Sequence, residues 1–179
     1  MIRFKMELKM TDQNSTHENR QKLWELLKEV RFTMISHQTE ENEIHAQPMT
    51  MLNSEKLNEH EHLYFLLKDN NDIVKALSAG RSHLGLSFSK PSDDTYISIS
   101  AEGHITTDRT LIETLWNPWA ENWFDGKDDP SVRVLVAKAI SAEYWDGKDN
   151  KVTSLFKVLK ANVTGETQEP DTDHQKLDL

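Results

Sequence analysis

Apolar and polar residues along this chain change rhythm several times, and each change marks an element. Leu23, Leu26, Leu27 and Val30 recur at i, i+3, i+4 and i+7, the period of an amphipathic helix. Just before them, Ser15-Thr16-His17-Glu18 reads as a capping box, with the Ser15 hydroxyl on the Glu18 amide and the Glu18 carboxylate reaching back. The period then shortens. Residues 31–36 and 43–52 read as two strands about a polar turn at 38–42, and the continuous apolar run at 62–67 reads as a strand covered on both faces. Ile73, Val74 and Leu77 place a short helix over 72–79, which Gly80 ends. Leu84, Leu86 and Phe88 alternate with polar or small residues, as do residues 96–100, and Pro91-Ser92-Asp93-Asp94 turns the chain between them. Val132, Val134 and Val136 mark a sixth strand.

Two more helices follow from capping residues ahead of apolar positions. Thr107 or Asp108 caps one that carries Leu111, Ile112, Leu115 and Trp116. Asp149 or Asn150 caps another that carries Val152, Leu155, Phe156 and Leu159. Residues 1–14 lack periodicity and read as a disordered N-terminal arm. Residues 15–163 form one domain, and 164–179 read as a disordered tail. Strands joined by short connectors pair antiparallel, and six of them escape exposed edges by closing into a small barrel. The fold class is therefore mainly β with flanking helices. Pro48 stands inside the second strand. It has no N–H for a ladder, so its amide position must face an edge, a bulge or a ligand.

Composition narrows the function. The chain has 179 residues, no cysteine and a net charge of −9, with 30 acidic against 21 basic residues. Disulfides, thiolate metal sites and cysteine nucleophiles are excluded. The acidic balance argues against a nucleic-acid partner. No run of about 18 apolar residues predicts a membrane span, and no secretory leader is visible, so the expected location is cytoplasmic. His60 and His62 share a strand face, but a metal needs more ligands than that pair, and they read as solvated. His37 and His45 bracket the first hairpin, where either reaches a ligand held there or faces solvent.

Several stretches resemble one family. Ala46-Gln47-Pro48-Met49-Thr50 is similar to the second-strand motif of general stress FMN-binding proteins, relatives of the pyridoxamine 5′-phosphate oxidases, which usually read Ala/Ser-Arg-Pro-Met there. Leu63-Tyr64-Phe65-Leu66 resembles their third strand. Tyr96 to Ser100 with Asp108-Arg109 resembles a later stretch. Leu115-Trp116-Asn117-Pro118, Trp123-Phe124-Asp125-Gly126-Lys127-Asp128-Asp129-Pro130 and Ala142-Glu143-Tyr144-Trp145 continue the likeness, which spans roughly residues 20–160.

The resemblance implies a six-stranded antiparallel split β-barrel that works as a homodimer. It also implies FMN in a groove between subunits, with phosphate on basic and hydroxyl groups and the ring on strand backbone. Carried over residue by residue, the expected contacts are Ser36, Ala46, Gln47, Pro48, Met49, Thr50, Lys68, Asn71, Trp116 and Trp123. Two basic anchors differ. The motif arginine is Gln47 here, and a lysine position falls on Ile73, with Lys68 and Lys75 as nearby substitutes. FMN is therefore expected to bind weakly. Trp116, Trp119 and Trp123 share a face if their helix continues. They read either as an apolar plug or as rings on the flavin. Three functions stay open: a flavin-dependent oxidoreductase of unknown substrate, a non-enzymatic flavin sensor, and a cofactor-free dimeric barrel. Loss of the oxidase's basic C-terminal segment argues against pyridoxamine phosphate oxidation itself.

Overall fold

The computed structural model describes residues 18–52, 61–147 and 173–178. The expected arm at 1–14, Ser15 of the capping box, His60 and the helix expected after Asp149 lie outside them. Residues 18–29 form helix α1. Strands β1 (Phe32–Gln38), β2 (Ile44–Thr50) and β3 (His62–Lys68) follow, then helix α2 (Asp72–Ser78). Strands β4 (His83–Lys90) and β5 (Thr95–Thr106) come next, then helix α3 (Arg109–Leu115), β6 (Val132–Asp146) and β7 (Asp173–Asp178). All pairings are antiparallel, in the order β2-β1-β4-β5-β6-β3, with β7 on β6. This is the expected split barrel, with seven strands rather than six and an open sheet.

Two strands are longer than their alternation suggested. β5 runs twelve residues and passes through a register shift at Ser100/Ala101. The alternation of β5 continues across the shift; the extra residue is Ile140 of β6, and there the inward positions change from Leu135, Ala137 and Ala139 to Ala142 and Tyr144. β6 runs fifteen residues. One flank lies on β5 throughout. The other meets β3 from Val132 to Lys138 and β7 from Ser141 to Asp146.

The stretch 173–178 was expected to be solvated tail, and it is strand. A strand such as β6 presents unpaired N–H and C=O groups where β3 ends, and a partner satisfies them. Leu177 also buries its side chain in the main core, at 4% exposure. Helix α1 locks this corner: Lys22 pairs with the buried Asp146 at 3.1 Å, and Asn19 Nδ2 donates to Gln175 at 3.2 Å.

The main core joins the inner faces of α1, β1 and β3 to β6, with Leu23, Leu27, Ile35, Leu63, Phe65, Leu86 and Tyr144 fully buried. A second cluster joins α3 and Phe124 to Val132, Val134 and Val136, so β3 and the first half of β6 are covered on both sides.

Helix α2 is short and well terminated. Asn71 Oδ1 accepts from the Ile73 amide at 2.9 Å. At the other end Gly80 takes φ +82°, and the Gly80 and Arg81 amides bond back to Leu77 and Ala76 at 3.0 Å each. This is a Schellman ending, in which glycine adopts the left-handed conformation without Cβ strain. Gly103 of β5 lets α2 lie close: a Cβ there would meet Leu84 at 2.6 Å and Leu77 and Leu135 at 3.2 Å.

If β7 is part of the folded domain, Leu177→Ala should cost about 2 kcal/mol, the low end for a buried leucine because the strand lies at an edge. Urea denaturation checks this. An unchanged midpoint would return the segment to the role of a tail.

Candidate functional site

The β1–β2 hairpin places the site. Its turn closes with the Thr39 amide on Glu43 at 2.9 Å, and Asn42 takes a left-handed φ of 63°. Paired residues share a face of the sheet, and neighbours along a strand oppose each other. Ser36 pairs with Ala46, Met34 with Pro48 and Phe32 with Thr50. These six lie on the outer face. Ile35 with Gln47, His37 with His45 and Thr33 with Met49 lie on the inner face. The expected contacts on β1 and β2 therefore divide: Ser36, Ala46, Pro48 and Thr50 outward, Gln47 and Met49 inward. A ligand touches both sets only along the strand edge.

That edge is open. β2 is terminal in the sheet, and Ile44, His45, Ala46 and Pro48 are all exposed. The Met51 amide bonds Arg31 on the β1 side at 2.8 Å, and the Leu52 amide bonds Tyr64 of β3 at 3.1 Å. By alternation Ala46, Pro48 and Thr50 turn their backbone amide positions away from β1. Pro48 thus costs no ladder bond, as its edge reading required. The split lies beside 44–48, while β2 and β3 approach each other at Leu52.

Across the outer face, Ser36, Gly85, Ser100 and Ser141 are successive partners. Large exposed apolar residues border this strip: Phe32, Met34 and Tyr96 on one side and Ile44 on the other.

At the inner corner of β2 a pocket of about 290 Å³ is lined by His37, Ile44, His45, Ala46, Gln47 and Asp72. Gln47 and Asn71 exchange two hydrogen bonds: Gln47 Nε2 donates to Asn71 Oδ1 at 2.8 Å, and Asn71 Nδ2 donates to Gln47 Oε1 at 3.3 Å. The sequence reading named both residues but missed their pairing. Asp72 pairs with Lys75 at 2.9 Å, and that bond holds its carboxyl below the usual range. His37 is buried, and its Nδ1 has no partner. Its imidazole edge faces His45 with ring centres 6.3 Å apart. Burial pushes the His37 pKa down; Asp72 opposes this weakly, and His45 adds to it.

The remaining expected contacts lie elsewhere. Lys68 is exposed at the end of β3, where its carbonyl accepts from the Asn71 amide at 3.0 Å and its charge acts on Asp129. Trp116 is half-buried against Phe124, ring centres 6.0 Å apart, in the second cluster. Trp119 and Trp123 are exposed. The three do not share a helix face, because α3 ends at Leu115 and Trp116 is extended. Pro118 prevents continuation, and Asn117 Oδ1 instead accepts from the Trp119 amide at 2.9 Å. Trp116 fills an apolar plug, and neither it nor Trp123 lines the pocket. His37, His45 and Asp72 line the pocket although the sequence reading did not count them among the expected contacts, and Ile44 joins them unannounced. The His37–His45 bracket about the hairpin was the available signal.

Two outcomes follow. Asn71→Ala should cost about 1 kcal/mol by removing a helix cap, while Asn71→Asp should keep the cap; thermal unfolding of both checks this. For His37, the folded pKa lies below its ordinary value of 6.5. The unfolded chain then takes up the proton first, so stability is lost as pH falls below 6.5. His37→Phe should flatten that part of the stability–pH curve. Parallel curves would mean that His37 titrates as if exposed.

Comparison with known proteins agrees with this geometry. The family model described as pyridoxamine 5′-phosphate oxidase like matches residues 18–171. Protein bli-3 of Neurospora crassa is 29% identical over 92 residues, and that match spans 46% of this chain and 44% of the relative, under half its length. A structure named as a general stress protein 26 from a Jannaschia species superposes with a TM-score of 0.71 at 21% identity, covering 91% of this chain and 99% of its own. The general stress FMN/FAD binding protein of Xanthomonas citri superposes at 0.62 with 29% identity, covering 74% and 91%.

Proposed function

Because this chain belongs to the pyridoxamine 5′-phosphate oxidase-like family, we propose that it is a flavin-binding protein of the general stress type, assembled as a homodimer with the flavin at the subunit interface. The observation that carries the reading is the open edge of β2. Ala46 and Thr50 direct backbone polar groups away from β1, into the split beside β3. A flavin ring has a polar edge that such groups satisfy and a flat apolar body that needs cover. The Xanthomonas citri protein, whose name states FMN/FAD binding, supports this choice of ligand.

The ring fits the residues present. Ala46 leaves space beside the edge, and Ser36 and Thr50 offer hydroxyls on the outer face. The phosphate of FMN finds less. Gln47 stands where relatives carry arginine, and its amide is committed to Asn71. Lys75 is committed to Asp72. A bound flavin would supply electron and hydride transfer, which no side chain here offers. The protein's part would be to hold it and limit water.

The dimer follows from the outer face. Phe32 and Ile44 are each 70% exposed around the strip of small residues, a combination that a second copy covers. Flavin absorbance of the purified protein, or quenching on adding flavin, tests the ligand. Turnover of a nicotinamide nucleotide with added flavin separates an oxidoreductase from a carrier or sensor. Sedimentation should give twice 20.7 kDa, and Ile44→Asp should shift it toward monomer. A stable monomer of the unmodified protein at micromolar concentration would remove the interface, and the flavin site built on it.

A further inference from the structure

We infer that the pocket formed by His37, His45, Gln47 and Asp72 receives an uncharged, hydroxyl-bearing ligand end and disfavours a phosphomonoester, so that riboflavin binds this chain at least as tightly as FMN. The inference rests on the flavin reading above, and on Gln47 standing where relatives meet the phosphate.

The argument is a count of donors and charges. A phosphomonoester at neutral pH brings a charge of about −1.5 to −2 and oxygens that mostly accept. It needs cations or free N–H groups. None of the six lining residues is a lysine or arginine. The formal charge among them is the Asp72 carboxylate, which Lys75 keeps ionised. Gln47 Nε2 donates to Asn71. The Ile73 amide, the nearest backbone donor of α2, is capped by the same Asn71 oxygen. The two donors nearest Gln47 are thus already engaged inside the protein, and the N–H groups left at the edge bring no positive charge to offset Asp72.

The pocket offers acceptors instead. His37 is held neutral by burial, and neutral imidazole keeps a lone pair on one nitrogen. His37 adds no cation to the pocket, and its Nδ1 is buried without a hydrogen-bond partner among the described residues. The Asp72 oxygens likewise accept from hydroxyls and repel phosphate.

The test is a titration of FMN and riboflavin, followed by flavin fluorescence, into the unmodified protein, Asp72→Asn and Gln47→Arg. The unmodified protein should bind riboflavin with equal or lower Kd. Asp72→Asn, an exposed change that leaves the core intact, should tighten FMN several-fold and tighten riboflavin not at all, so that the ratio of the two Kd values moves toward FMN. Gln47→Arg should reverse the preference, and its FMN affinity should fall with added salt. Tighter FMN than riboflavin on the unmodified protein would overturn the inference while leaving the flavin reading intact. Binding of neither flavin would sink that reading, and this inference with it.

Discussion

Strand β6 is the constraint on which the rest of the structure depends. Its fifteen residues hydrogen-bond β5 along one flank and two different strands along the other. A strand of that length cannot remain flat under the right-handed twist of a sheet, so it coils, and its neighbours coil with it. Ile140 is the extra residue of β6 opposite Ser100/Ala101, and the bulge there takes up the bend between the two strands. Because β3 takes one half of the β6 flank, β3 is carried around toward β2 and meets it only near Leu52 and Tyr64. The barrel therefore has a split, and the split has a definite place, beside residues 44–48.

The site inherits its chemistry from that opening. An edge strand is a liability unless something covers it. β2 neither twists away nor carries a row of lysines; it carries alanine, proline and apolar residues, with Phe32 and Ile44 exposed nearby. Those are the properties of a surface awaiting an occupant. Within the same strand, alternation separates two tasks. Ala46 and Pro48 present space and backbone to the outside, while Gln47 turns inward and joins Asn71, tying β2 to the first turn of α2. Closing that link with an uncharged amide pair secures the corner without a cation, and it leaves Asp72 and His37 to set the character of the pocket.

Stability and recognition meet in His37. Burial keeps its ring neutral and leaves one nitrogen unpaired. A group left without a hydrogen-bond partner among the described residues is uncommon in a folded interior and costs stability there. The far corner of the sheet shows the opposite solution: Asp146, equally buried, is matched by Lys22 and by the Thr95 hydroxyl at 3.5 Å.

What the sequence determined by itself was local. The apolar runs located β1 to β6, Thr107 or Asp108 was marked as a cap and Asp108 is one, Gly80 ended α2, and Pro48 narrowed its place to an edge, a bulge or a ligand. Each of these depends on residues within a turn or two of one another, which is the range over which propensity and capping act. The divided faces of 46–50 were also implicit there, since alternation alone separates Gln47 from Pro48. Only the tertiary structure decided the rest. Nothing near Leu177 marks it as core; it is buried because the end of β6 lacks a partner. The length of β6 follows from having three strands to serve, and the Trp116–Trp123 stretch abandons its helix because Pro118 stops it and Phe124 takes the packing position instead. The Gln47–Asn71 pair spans 24 residues and exists because β3 and α2 return past β2. Contacts of that range carry no local signal: they form when loop closure and burial of distant surfaces are settled together.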